Sequence, residues 1–150
     1  MPGAQILICY DGSDEARRAI DAAAELLGYR RAVVLDVGPV LTTAEGFATM
    51  SSVVPGPGFE DLNAEDALER ARAGAAIATR VGFDAHPRGE AAAPTWQGIV
   101  DVADEIDAGV IVIGSRGLNG ARELFEGSVS HDVAAHARRP VLIVPPPGDE

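Results

Sequence analysis

Lysine does not occur in this chain: all 12 basic residues are arginine. That absence excludes the phosphate-bracing lysine of a Gly-x4-Gly-Lys-Ser/Thr loop. It also excludes a phospho-accepting receiver domain, which needs a lysine after its fifth strand. Cysteine occurs once, at Cys9, so no disulfide can form within the chain. No apolar run approaches the roughly 20 residues that span a bilayer. Met1 to Gln5 carries neither a basic n-region nor a long apolar h-region, so no secretory signal is expected and the expected location is the cytoplasm. Positive charge is scarce, and the formal net charge is −11. A surface that acidic repels nucleic acid and anionic membranes, so neither is an expected partner, and any phosphate site must be favourable locally. A dinucleotide-binding turn would place Gly-x-Gly-x-x-Gly after the first strand, where Asp11-Gly12-Ser13-Asp14 stands instead.

What is present fits one α/β domain over residues 1–150, with 47% hydrophobic residues. Residues 5–10 form a short apolar run that reads as a buried strand, ended by the turn Asp11-Gly12-Ser13. Ser13 can cap a helix whose first turn holds Asp14 and Glu15. Ala16, Ala19, Ile20, Ala23, Ala24 and Leu27 then recur at helical spacing until Gly28 stops the pattern. Residues 32–37 read as a second strand. Between 38 and 61 the pattern dissolves among Pro39, Gly46, Pro55, Gly56, Pro57 and Gly58, which predicts a long surface loop. A helix is predicted over 62–81, with Leu68, Ala71, Ala75 and Ala78 on one face, and a short strand over 83–87. Pro94 and Thr95 open a third helix whose apolar stripe is Trp96, Ile99, Val100, Ala103 and Ile106, with Trp96 expected in the core. Val110 to Ile113 is the strongest strand, residues 128–137 a fourth helix, and Val141 to Val144 the last strand before three prolines and a frayed tail. Strands alternating with helices imply a mostly parallel sheet covered on both faces.

Two loops follow strong apolar strands: Asp11-Gly12-Ser13, and Gly114-Ser115-Arg116-Gly117 leading on to Gly127-Ser128-Val129-Ser130. In open α/β sheets ligands bind beyond the carboxyl ends of the strands, where the winding reverses. If the first and fourth strands are neighbours, both loops face one crevice. Gly114 and Gly117 let backbone amides approach an anion without an intervening Cβ. Gly127 and Ser128 stand at the start of a helix, where free N–H groups and the dipole favour phosphate. Ser128 and Ser130 add hydroxyls, and Arg116 and Arg122 add local positive charge. Asp11 repels phosphate, so a ribose hydroxyl suits it better.

The spacing Gly-x2-Gly-x9-Gly-Ser between a strand and a helix, with Ile6 to Ser13, Val110 to Gly117 and Pro140 to Val144, resembles the universal stress proteins in their nucleotide-binding branch. The resemblance runs nearly end to end. It implies a five-stranded parallel sheet of order 3-2-1-4-5, of the Rossmann-like, adenine nucleotide alpha hydrolase-like kind, with the switch point between the first and fourth strands. By the same resemblance Asp11 lies near adenine and ribose, with Cys9 and Tyr10 leading into it, and Val37 packs near the base. Gly114, Gly117, Gly127, Ser128 and Val129 match the phosphate and ribose loop, with Ser130 and Arg116 beside them. The implied ligand is ATP, with ADP and AMP as alternatives and Mg2+ as a companion ion. The family also implies a homodimer through antiparallel pairing of strand 141–144, an apolar edge. One departure is Asp36, where many relatives have histidine; it adds negative charge beside the site and is expected to lower affinity.

Other residues carry structural readings. Cys9 lies in an apolar strand and is expected to be a buried thiol. His131 and His136 are five apart, which is not the i, i+4 spacing of a helical metal pair. The pairs Asp14-Glu15, Glu65-Asp66 and Asp104-Glu105 read as solvated helix faces, and no Ser-His-Asp order is recognisable. With no general base beside the glycine loop, the expected role is a regulatory nucleotide-binding module with an unspecified protein partner. A slow ATPase and a nucleotide-free dimeric interaction protein are the alternatives.

Overall fold

The computed structural model describes residues 4–28, 30–39, 59–115 and 129–146. The elements run β1 (Ile6–Cys9), α1 (Asp14–Leu27), β2 (Arg31–Gly38), α2 (Phe59–Arg80), β3 (Asp84–Ala91), α3 (Thr95–Glu105), β4 (Val110–Gly114), α4 (Val129–His136) and β5 (Val141–Val144). The five strands form one parallel sheet in the order β3-β2-β1-β4-β5. This is the order that the family resemblance implies.

A central parallel strand is covered on both faces, so both of its side-chain sets must be apolar. In β1, Ile6 and Ile8 join a core with α1 and α2, and Leu7 and Cys9 join a second core with α3 and α4. Each fully buried Ile or Leu of this kind contributes about 2 kcal/mol of transfer free energy. Helix α1 forms as its sequence dictates. The Ser13 hydroxyl accepts the Ala16 N–H at 3.1 Å, and Ala16, Ala19, Ile20 and Ala23 turn inward.

Helix α2 begins at Phe59, inside the segment expected to be loop; residues 40–58 lie outside the description. Its buried stripe is Ala67, Ala71, Ala75 and Ala78, while Leu68 is half-buried at the margin. Small residues there let the helix sit directly on the sheet. At Gly89 of β3 an added Cβ would stand 2.3 Å from the Leu68 backbone nitrogen, and at Gly74 of α2 it would stand 2.6 Å from the Tyr10 ring. Strand β3 extends to Ala91 rather than ending near residue 87, and its sequence is mostly polar. It occupies a sheet edge, where backbone pairing to β2 and the cover of α2 hold it with only small residues alternating with the polar ones. Trp96 is also not core. It is half-buried and stacks on His136 of α4 with ring centroids 4.2 Å apart.

Gly89→Ala should therefore lower unfolding stability by about 2–3 kcal/mol through overpacking. The obstructing atom belongs to the backbone, so no rotamer change relieves it. Urea unfolding of the variant checks this, and an unchanged midpoint would contradict the close packing of α2 on β3.

Candidate functional site

The crossovers from β1 and β2 run over one face of the sheet, and those from β3 and β4 over the other. The winding thus reverses between β1 and β4, which are hydrogen-bonded neighbours with Ile8 opposite Val112. Their carboxyl ends carry Asp11-Gly12-Ser13 and Gly114-Ser115. The adjacency that the loop argument required is present.

Asp11 is half-buried, and one carboxylate oxygen accepts the Ser13 N–H at 2.9 Å. The turn uses Gly12 at a φ of 88°, where a side chain would be strained. Cys9 and Tyr10 lead into it, but both side chains are buried, on opposite faces of the sheet. What they offer the crevice is backbone. Burial first, then the charges of Asp11 and Asp36, push the Cys9 thiol up to about 12, so it stays protonated and unreactive near neutral pH. Val37 is half-buried against α3, where a Cβ on Gly98 would stand 3.2 Å from its methyl group.

Gly114 closes the other side. A Cβ there would stand 3.3 Å from the Glu15 carbonyl, so this glycine also lets the end of β4 meet the first turn of α1. Val129 and Ser130 open α4; Val129 packs on the α3–α4 core and Ser130 is buried. Arg116, Gly117, Gly127 and Ser128 lie outside the described residues.

Asp36 stands in β2, where α2 covers it. It is 5% exposed, and Arg70 of α2 donates a hydrogen bond to it from Nε, closing an ion pair. The added negative charge beside the site is thus countered at once. Arg70 went unremarked in the sequence, although its spacing from Ala67 and Gly74 puts it on the stripe that faces the sheet. A second grouping, Arg88, Glu90 and Glu105, lies between the end of β3 and α3, with its charges paired among themselves.

The arrangement defines a Rossmann-like α/β class whose switch point lies between β1 and β4. The profile of the universal stress protein family matches residues 4–145, and the chain belongs to that family. Universal stress protein YxiE of Bacillus subtilis (strain 168) is 32% identical over 148 residues, covering 93% of this chain and 97% of its own length. A universal stress protein solved in complex with cAMP has the same fold, with a TM-score of 0.62 at 24% identity over 95% of this chain and 96% of its own. So does one from Archaeoglobus fulgidus in complex with dAMP, with a TM-score of 0.55 at 24% identity over 96% of this chain and 99% of its own.

Burial, the largest influence on Asp36, pushes its carboxyl above the ordinary value; the Arg70 hydrogen bond and charge pull it back only in part, and Asp11 adds a smaller upward push. The folded state therefore holds this proton more tightly than the unfolded chain does. Its contribution to stability is complete below the unfolded value of about 3.9 and declines as pH rises through the folded one. Asp36→Asn should remove that decline. From about pH 4 upward the wild type should lose stability relative to the variant and then level off. Urea midpoints of both proteins across this range check the sign, and a wild type gaining on the variant with rising pH would contradict it.

Proposed function

We propose that this chain is an adenine-nucleotide-binding universal stress protein that acts in the cytoplasm as a regulatory module, with ATP as its ligand and Mg2+ as the counter-ion of the phosphates. The observation that carries this reading is the juxtaposition of Asp11 and Gly114 at the switch point. A ribose has a carboxylate acceptor on one side, and phosphates have the glycine end of β4 on the other. Val37, one strand over, offers an apolar surface for the base. Gly117, Gly127, Ser128, Val129 and Ser130 would complete the phosphate cradle, with Arg116 beside it. The cAMP and dAMP held by two universal stress proteins of the same fold support an adenine nucleotide as the ligand class. The residues so assigned bind and orient. Turnover faster than about one per second, within the usual enzyme range, would favour an ATPase instead.

Titration calorimetry should give saturable ATP binding that Gly127→Val abolishes without changing the melting temperature. Gly114→Val is a poor probe, because its side chain would also press on Glu15. No heat of binding up to millimolar ATP, ADP or AMP would end this reading.

We also propose a homodimer through β5. In β5 the alternate residues Pro140 and Val144 accept from β4, which turns the backbone groups of Val141 and Ile143 outward, and Ile143 is 38% exposed. The opposite edge is blunted. In β3, Asp84 and Ala92 donate toward β2, so Pro87 turns outward and has no N–H to offer. Light scattering should give twice the 15.5 kDa chain mass, and Ile143→Lys should halve it. A wild type of single-chain mass would refute the dimer.

A further inference from the structure

Asp11 follows β1 by two residues, and Asp36 stands in β2 next to Leu35, the residue that pairs with the end of β1. Tyr10 donates its N–H to the Leu35 carbonyl, so Asp36 follows the last residue tied to β1, beside the turn that carries Asp11. Asp36 is enclosed by protein, whereas Asp11 is partly wetted. A buried charge is screened little by salt or water and acts on neighbours through a reduced dielectric. Left bare, Asp36 would press on any anion brought to the crevice. The Arg70 guanidinium meets it from above, with its own side chain 44% exposed. The desolvation cost thus falls mainly on the carboxylate, while the cation keeps much of its water.

We propose that Arg70 sets the preference of the crevice for phosphorylated over unphosphorylated adenosine by cancelling the buried charge of Asp36. This rests on the nucleotide-binding reading above and deepens it. Arg70 need not touch the ligand. Its effect is electrostatic and scales with the charge the ligand carries. A purely structural role, pinning α2 to the end of β2, would instead shift Val37 and weaken every adenine ligand alike. The two differ in what adenosine does. Adenosine has the base and the ribose but no phosphate, so it feels a displaced Val37 and is nearly blind to an uncancelled carboxylate.

The test titrates adenosine, AMP and ATP into the full chain at pH 8 and again at pH 9, because the buried Asp36 holds its proton to higher pH once Arg70 is gone, using wild type, Arg70→Gln, Arg70→Lys and Asp36→Asn/Arg70→Gln. For Arg70→Gln we expect ATP to weaken by about tenfold, AMP by about threefold and adenosine by less than about twofold, as Coulomb scaling with ligand charge requires. Arg70→Lys keeps the charge and should keep the wild-type ratio of ATP to adenosine affinity. The double variant removes both charges and should restore that ratio. Equal losses for adenosine and ATP, or a double variant that fails to recover ATP binding, overturn the proposal while leaving nucleotide binding intact. If Arg70→Gln does not fold, the other two variants decide, because a lost ratio in either one overturns it. A wild type that binds none of the three ligands overturns this proposal together with the reading beneath it.

Discussion

Everything in this molecule is arranged around a central strand with water on neither side. β1 is enclosed by β2 and β4 in the sheet plane and by helices above and below. None of its four residues can be charged without a large desolvation cost, so the polar chemistry is displaced to where the strand ends. Asp11 is the first residue after β1 that is not buried, and the turn that begins there also caps α1. The winding reverses at the same strand, so the neighbouring ends cannot be closed by a crossover. The switch point follows from the strand order, and the same burial that stabilises the fold displaces polar groups to the strand ends beside it.

The second constraint is closeness. Alanines and the single glycine of α2, Gly74, bring its axis down onto β2 and β3, and Gly89 and Gly38 accept its backbone where a side chain would not fit. That approach has an electrostatic consequence. It brings Arg70 within hydrogen-bonding reach of Asp36, an acid placed too deep to be solvated. A thicker helix face would hold the guanidinium away and leave the carboxylate uncompensated. Packing and charge balance are coupled here through the size of a few side chains.

These facts also explain what could be read in advance. The runs Ile6 to Cys9, Val110 to Ile113 and Val141 to Val144 are apolar because their strands are buried or half-buried, and burial is what hydrophobic patterning reports. The start of α1 was legible from Ser13, since capping is a local matter. The candidate crevice was legible from two polar turns after apolar strands, once the family resemblance supplied their adjacency. β3 was legible only in part, because Asp84 to Ala91 is held by backbone pairing and by contact with an alanine-rich helix face, and its inward positions are small residues that carry little hydrophobic signal. Trp96 was misplaced because a helical stripe says which face turns inward but not how far the cover extends; at the margin an indole stacks on a histidine. Arg70 was invisible because its partner lies 34 residues away, and a lone arginine on a small-residue stripe reads as one more surface charge.

The strongly negative net charge is a poor guide to the potential inside the crevice. At physiological ionic strength the field of an exposed charge decays over about 8 Å. The acids on the outer faces of α1, α2 and α3 therefore act mainly on encounter, slowing the approach of an anion. For a nucleotide bound as proposed, the groups that matter are those that share its low-dielectric surroundings. Among the described residues these are Asp11, whose charge is partly taken up by the Ser13 amide, and Asp36, whose charge is met by Arg70. Far-field repulsion and a locally balanced site are compatible because they are governed by different lengths. One follows from the composition of the surface, and the other from a single arginine held over a single buried carboxylate.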